Sequence, residues 1–232
     1  MTKDEARRVL DQVCLGSIDL TWSGHFLDQL AERMPVRKTC PHCGSTAARI
    51  EAPPLYTYLH CGLTGVVLEG DGVVVTDCPD CGQNTTTIRN EVQLLQVIGM
   101  ALVLSGPGLT GEELAYLRSL FEISQEDLAR AICRRRRETI ADWEGRGTDR
   151  IFRAPFDELN LRVVLMAMFQ AKVVDSQWCC LSPRQREQFR AATADFLHRV
   201  DELLAERPAH GSLSVRRVAS TGEWKSQYAL VA

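Results

Sequence analysis

The chain has 232 residues, of which 45% are hydrophobic and 25% are charged, and its mean hydropathy is −0.13. This composition is typical of soluble globular proteins, and it excludes wholesale disorder and the collagen-like and fibrous classes. A net charge of −3 and a pI near 6.0 exclude a general attraction to nucleic acids or anionic membranes. Any such affinity must therefore come from a local patch of charge.

The sequence predicts a cytoplasmic protein with no membrane partner. Its longest nearly apolar run, residues 94–104, is about half as long as the ~20 residues that a membrane-spanning helix needs. The N-terminal segment, Met1 to Glu5, includes two acids where a secretory signal has basic residues followed by an apolar stretch.

Composition and turn signals divide the chain into six segments, which together predict an α+β, multi-domain fold. In chain order they are a helix-strand-helix segment at 1–38, a four-cysteine β-rich module at 39–86, a linker helix at 87–108, a helix-turn-helix domain at 109–172, an amphipathic helix at 173–207, and a tail at 208–232.

The β-rich module is expected to contain short strands at 55–61, 64–68 and 73–76. Asp71 and Gly72 predict a tight hairpin between the last two strands, because an Asp-Gly pair favours the two-residue hairpin turn. From about residue 87 the apolar spacing becomes helical, until a Gly-Pro-Gly run at 106–108 ends the helix.

Two copies of one cysteine motif, CPHCG at 40–44 and CPDCG at 78–82, supply Cys40, Cys43, Cys78 and Cys81. Two residues between thiols allow a tight turn to aim both sulfurs at one ion, and four thiolates complete a tetrahedral zinc site. With no open position for water, such an ion folds the module and performs no chemistry. A redox role for one pair and Cys61 as a replacement ligand remain alternatives.

Three short helices are expected after the Gly-Pro-Gly break. Thr110 with Glu113, and Ser124 with Asp127, have the spacing of N-terminal caps for the first two. The third, roughly at 134–145, begins with a run of arginines and corresponds to the recognition helix of a helix-turn-helix pair.

Basic charge is concentrated around the predicted recognition helix, because residues 130–153 contain eight arginines and four acids. Such a local excess indicates contact with DNA phosphates. The alternative is a solvated helix start with no ligand. The predicted DNA-binding residues are Arg134, Arg135, Arg136, Arg137 and Thr139, of which Arg136 and Arg137 are expected to lie closest to the bases.

The cysteine motifs, the segment LTGEELAYLR, and SQEDLA followed by DWEGR resemble MqsA-type antitoxins and related regulators, over residues 39–172. These proteins combine a YgiT-type zinc finger with an Xre-like helix-turn-helix. The resemblance implies one structural zinc ion per chain, a toxin protein as a possible partner, and a homodimer that binds a palindromic operator. The turn before the third helix departs from the family in lacking the usual glycine.

Residues 1–38 resemble the opening of a RelE-like toxin-type domain, through the segment WSGH and the pair Glu32 and Arg33. No nucleophile with a base, phosphate-binding glycine loop or paired carboxylate motif is visible, so the chain is not expected to be an enzyme. The preferred function is a sequence-specific DNA-binding transcriptional regulator that represses its own operon in the manner of an antitoxin. A zinc-stapled interaction module without DNA binding, or a nuclease that uses His25, are the alternatives.

Overall fold

The structure is a computed structural model that describes residues 39–105, 108–132, 135–153, 155–196 and 212–229. These residues form two β-sheets and six α-helices, which confirms the α+β class. The predicted helix-strand-helix segment at 1–38, including His25, lies outside the described residues. Among the described helices, none is long and apolar enough to cross a membrane.

The first sheet has three antiparallel strands, β1 (Arg49–Glu51), β4 (Val73–Asp77) and β5 (Asn84–Ile88), in the order β1-β4-β5. Arg49 pairs with Asp77, and Asp77 also pairs with Asn84. Neither β1 nor β5 was predicted from the sequence, because both are short and polar and have little of the apolar alternation that signals a strand.

The second sheet has four strands, β2 (Leu55–Thr57), β3 (Val66–Glu69), β6 (Ser212–Arg217) and β7 (Trp224–Ala229), in the order β2-β3-β6-β7. The strands β3 and β6 run parallel, whereas β2 and β7 pair antiparallel with their neighbours. The Glu69 carboxylate accepts hydrogen bonds from Ser214 and Arg216 across the parallel pair. The segment predicted as a tail therefore supplies half of this sheet.

The predicted hairpin at Asp71 and Gly72 is wrong, because β3 and β4 belong to different sheets. The turn instead carries the chain from one sheet to the other. Gly72 packs directly against the buried indole of Trp224, and the Arg217 guanidinium contacts Asp71. Contacts made by the C-terminal hairpin thus replace the local pairing that the Asp-Gly signal suggested.

Helix α1 (Glu91–Leu104) is largely buried, with ten of its 14 residues inside the described part of the protein. Leu94, Val97, Ile98 and Val103 are completely buried in one apolar core that also includes residues of the second sheet and of the later helices. The helix also places Gly99 against the side chains of Leu120 and Phe169. The segment predicted as a linker is thus the main core helix.

Three short helices follow, α2 (Gly111–Leu120), α3 (Gln125–Ala131) and α4 (Arg137–Glu144). The capping boxes predicted at Thr110 and Ser124 are present, since each side chain accepts a hydrogen bond from the backbone N–H three residues later and the acid there bonds back. Both helices therefore begin where their sequence specifies.

Helix α5 (Pro155–Phe169) continues into a π-helical turn at Gln170–Val174, and α6 (Pro183–Asp195) follows. The residues between 197 and 207 that were expected to extend α6 lie outside the described part of the chain. Within α5 the Arg162 guanidinium pairs with Glu158 at 2.6 Å, and both side chains are almost fully buried. This pair joins α5 to the end of α1.

Candidate functional site

The two cysteine motifs form matching turns. In the first turn the Gly44 N–H donates to the carbonyl of Cys40 at 2.9 Å, and in the second the Gly82 N–H donates to the carbonyl of Cys78 at 2.8 Å. Both glycines have a positive φ, +73° and +68°, which a residue with a Cβ adopts only at a cost. The glycine that ends each CPxCG motif is therefore required by the turn.

The first sheet brings the two turns together. Strand β4 ends at Asp77, immediately before the second turn, and β5 begins at Asn84, immediately after it. Strand β1 follows the first turn and pairs with β4, so that both motifs lie at the same end of the sheet. The β-strand pairing thus makes neighbours of two motifs that are well separated in the sequence.

All four predicted ligands, Cys40, Cys43, Cys78 and Cys81, converge with their sulfur atoms within 4.8 Å of one another. The Sγ atoms of Cys40 and Cys81 are 3.6 Å apart, as are those of Cys43 and Cys78. Four thiolates at about 2.3 Å from a tetrahedral zinc ion lie about 3.8 Å from each other. The cluster therefore has the geometry of a metal site with four sulfur ligands.

The thiols of the cluster differ in acidity when no metal is present. A hydrogen bond from the backbone N–H of Cys43 lowers the pKa of Cys40 to about 6. At Cys81 the backbone N–H of Gln83 also favours the thiolate, but burial and the neighbouring thiols outweigh it and raise the pKa to about 12. Four thiolates this close repel each other, so a divalent cation is needed to hold them all in the ionised form.

Side chains around the cluster support the two turns. The His42 imidazole forms a hydrogen bond with Thr85 of β5 at 3.2 Å, and the Ser45 hydroxyl contacts the carboxylate of Asp80 in the other turn. Cys61 is not part of the cluster and instead contacts the carbonyl of Tyr58. The sequence analysis missed the contacts of His42 and Ser45, because their partners are distant in the sequence and share no motif with them.

The predicted recognition helix is shorter than expected, since α4 begins at Arg137 with Arg136 as its cap residue. The side chains of Arg135, Arg136 and Arg137 are exposed, and none of them pairs with another residue in the described part of the chain. Thr139 is half-buried in the first turn of the helix. Arg134, the remaining residue predicted to bind DNA, lies outside the described residues.

One carboxylate holds the three short helices together. Glu144 of α4 pairs with Arg118 of α2 at 2.6 Å and accepts a hydrogen bond from Gln125 of α3 at 2.8 Å. Ile140 on the inner face of α4 is completely buried. The arginines at the start of α4 therefore extend from a helix that is fixed at its other end.

Gly111 allows α2 and α4 to approach closely. A Cβ at this position would lie 2.5 Å from the carbonyl oxygen of Trp143 and 2.8 Å from that of Glu144. The N–H groups at the start of α2 instead donate to the carbonyls of Asp149 and Gly147, in the segment after α4. The N-terminus of α2 is thus packed on the C-terminus of α4.

Comparison of the chain with protein-family models, with curated proteins and with solved structures gave no match. The resemblance to MqsA-type antitoxins therefore rests on the sequence motifs alone and remains a prediction. The metal site stands on its geometry, independently of that resemblance.

Proposed function

We propose that the protein is a sequence-specific DNA-binding transcriptional regulator with one structural zinc ion per chain, acting as an antitoxin-like autorepressor. The observation that carries this proposal is the run of exposed arginines at 135–137, at the start of a firmly held helix. In this proposal α3 and α4 form the helix-turn-helix pair, and α4 enters the major groove.

Zinc is the metal that best suits the cysteine cluster. Four thiolates in a tetrahedral arrangement are typical of structural zinc sites, and carboxylate-preferring cations such as Mg²⁺ and Ca²⁺ do not select sulfur ligands. Cys40, Cys43, Cys78 and Cys81 would hold the ion, which would stabilise the three-stranded sheet. The same ligands leave no position for a substrate, in keeping with a non-enzymatic protein.

The charge distribution around α4 supports contact with DNA. Four acids oppose the arginines at 130–153, and one of them, Glu144 of α4, is neutralised by Arg118 of α2. Arg130 is in turn paired with two acids of α3, so the exposed arginines at 135–137 carry the basic charge at the start of α4. Arginines that approach phosphates release bound counterions, which supplies most of the sequence-independent affinity.

A homodimer follows from the size of the DNA site. One recognition helix contacts only a few base pairs, whereas a dimer doubles the contacts and fixes the spacing of two half-sites. We expect the helices after residue 155 to supply the dimer interface, and a toxin protein is a further possible partner of the zinc module.

The proposal is tested by fluorescence anisotropy with a DNA duplex from the region upstream of the protein's own gene and with a shuffled duplex. An arginine that binds guanine in the major groove discriminates by about 1–3 kcal/mol. Arg137→Ala should therefore weaken binding to the upstream duplex by about five- to 150-fold and leave binding to the shuffled duplex little changed. Arg135→Ala should weaken both equally. Equal binding of both duplexes by the unaltered protein would contradict the proposal.

An interaction module without DNA binding is the second candidate function. It is favoured by two leucines of the zinc module, Leu55 and Leu59, whose side chains are 62% and 67% exposed. A partner protein could cover these side chains if they form one exposed apolar patch, because contiguous apolar patches mark protein contacts. This function becomes the better one if no duplex binds.

A further inference from the structure

A groove of about 770 Å³ lies between the zinc module, α1, the end of α2 and the π-helical turn. Sites for small organic ligands have volumes of about 300–1,000 Å³ and often lie where several elements meet. The groove is separate from both the cysteine cluster and the arginines of α4, none of which lines it. Neither the metal site nor the proposed DNA contact therefore explains it.

Large apolar side chains are exposed on the wall of this groove. Trp178 is 66% exposed and Val92 is 56% exposed, and both line it. An exposed tryptophan is costly in water, so its place in a groove indicates an apolar ligand surface.

The backbone of the groove is also unusual. Glu122, at its edge, has a φ of +54°, which is uncommon and strained for a residue other than glycine. The π-helical turn Gln170–Val174 contributes Lys172 and Val173 to the wall. Left-handed backbone and π-helical turns both cost stability, and both occur preferentially at functional sites.

The charged groups of the groove favour a cation. Its wall has two carboxylates, Glu91 and Glu122, and one ammonium group, Lys172. The wall therefore has one more carboxylate than ammonium groups, which gives the groove an excess of negative charge.

The aromatic groups of the groove are suited to the same ligand. Tyr58, Tyr116 and Trp178 line it, and the phenol of Tyr58 donates to Glu91 at 2.8 Å. Burial, and after it the Glu91 carboxylate, raises the pKa of Tyr58, so the phenol stays protonated and keeps donating to Glu91. Aromatic faces attract cations through their quadrupole, and the attraction grows when water is excluded.

We propose that this groove binds an aromatic organic cation, with its positive charge near Glu91 and Glu122 and its rings against Trp178. Such a ligand would cover the exposed apolar side chains with its rings and neutralise the excess negative charge with its cationic centre. The site requires no DNA, and it stands or fails independently of the proposed regulatory function.

The test is isothermal titration calorimetry of the full, zinc-loaded chain with tetraphenylphosphonium. Tetraphenylborate, an anion of nearly the same shape, and triphenylphosphine oxide, which is neutral, are the matched control ligands. We expect saturable binding of one phosphonium ion per chain, with at least tenfold weaker binding of both controls. Absence of saturable phosphonium binding, or equal binding of the borate or the oxide, would overturn the proposal.

Two variants locate the binding site. Trp178→Ala should weaken phosphonium binding by about two- to thirtyfold, which is the range of cation-aromatic contacts. Glu122→Gln should weaken it by about fivefold, as expected for loss of one charge at a solvent-accessible distance of ~4 Å. Val163→Ala and Glu187→Gln remove an exposed apolar group and a carboxylate that do not line the groove, so neither should change the affinity. Unchanged binding by either groove variant would refute the assigned position.

Discussion

The buried ion pair of α5 determines how the helical unit, which comprises α2, α3 and α4, is attached to the core helix α1. The Arg162 guanidinium pairs with Glu158 at 2.6 Å and donates to the carbonyl of Leu102, at the end of α1, also at 2.6 Å. Glu158 in turn accepts from the N–H groups of Gly108 and Leu109, just before α2. The two side chains are only 4% and 1% exposed, so water cannot replace either partner.

Removing one member of this pair should be costly. Arg162→Met leaves the Glu158 carboxylate buried without its counter-ion, and breaking a buried pair in this way costs about 3–5 kcal/mol. Combining Arg162→Met with Glu158→Gln removes both charges and retains an oxygen that can accept from Leu109. The double variant should therefore lose about 0.5–3 kcal/mol less stability than the sum of the losses in the two single variants.

The assay is urea unfolding of the zinc-loaded chain, followed by circular dichroism and tryptophan fluorescence. Arg130 and Glu126 provide a matched control, because they form the same i,i+4 pair on the surface, with side chains 66% and 62% exposed. Arg130→Ala should cost far less than Arg162→Met, because an exposed ion pair contributes little to stability. Either of two results would refute this role. One is a cost below about 1 kcal/mol for Arg162→Met, which is far below the cost of a broken buried pair. The other is strict additivity in the double variant.

Three further predictions concern the metal, the helical unit and the oligomer. The Cys78→Ser, Cys81→Ser double variant should lose its stoichiometric zinc in elemental analysis and keep its helical circular dichroism, because the metal stabilises only the sheet that carries it. Gly111→Ala should destabilise the chain by about 1–3 kcal/mol in urea unfolding and abolish DNA binding, since backbone atoms of α4 occupy the space of the new methyl group. Sedimentation at micromolar concentration should give a mass near twice the 25.9 kDa of one chain.

Each of these predictions has an outcome that contradicts it. Zinc that remains at one ion per chain in the double serine variant would exclude Cys78 and Cys81 as ligands. Gly145→Ala is the control for the helical unit, because Gly145 is exposed and has a helical φ of −64° that alanine adopts freely. A Gly111→Ala effect no larger than that of Gly145→Ala, or a monomer in sedimentation, would count against the account.

Most features predicted correctly from the sequence are encoded within a few residues. The capping boxes at Thr110 and Ser124 and the turn of each cysteine motif depend on short spacings, which local backbone geometry converts directly into structure. The convergence of the two motifs was predicted from their matching composition, and the pairing of β1 with β4 produces it. The α+β class followed from the same local signals. The long-range partners of these elements could not be predicted from local signals.

The features that sequence analysis missed depend on contacts between distant parts of the chain. The Asp71-Gly72 turn fails as a hairpin because β3 pairs with β6, which lies beyond all the helices in the sequence, and no local pattern encodes that partner. Strands β1 and β5 are polar and exist through their pairing with β4. The groove beside Trp178 is assembled from separate elements, so only the folded chain reveals it.

The proposed contact of the arginines at the start of α4 with DNA should appear in the salt dependence of binding. Affinity for the upstream duplex is measured at two salt concentrations for the unaltered chain, for the triple variant with alanine at 135–137, and for a control triple variant with alanine at Arg49, Arg184 and Lys225. The control removes the same charge from exposed positions elsewhere.

Each phosphate contact contributes about 0.9 to the slope of log affinity against log salt concentration. The 135–137 variant should bind more weakly and with a slope lower by about one to three for each half-site, whereas the control variant should keep the slope of the unaltered chain. Unchanged affinity and slope in the 135–137 variant would show that these arginines do not contact DNA.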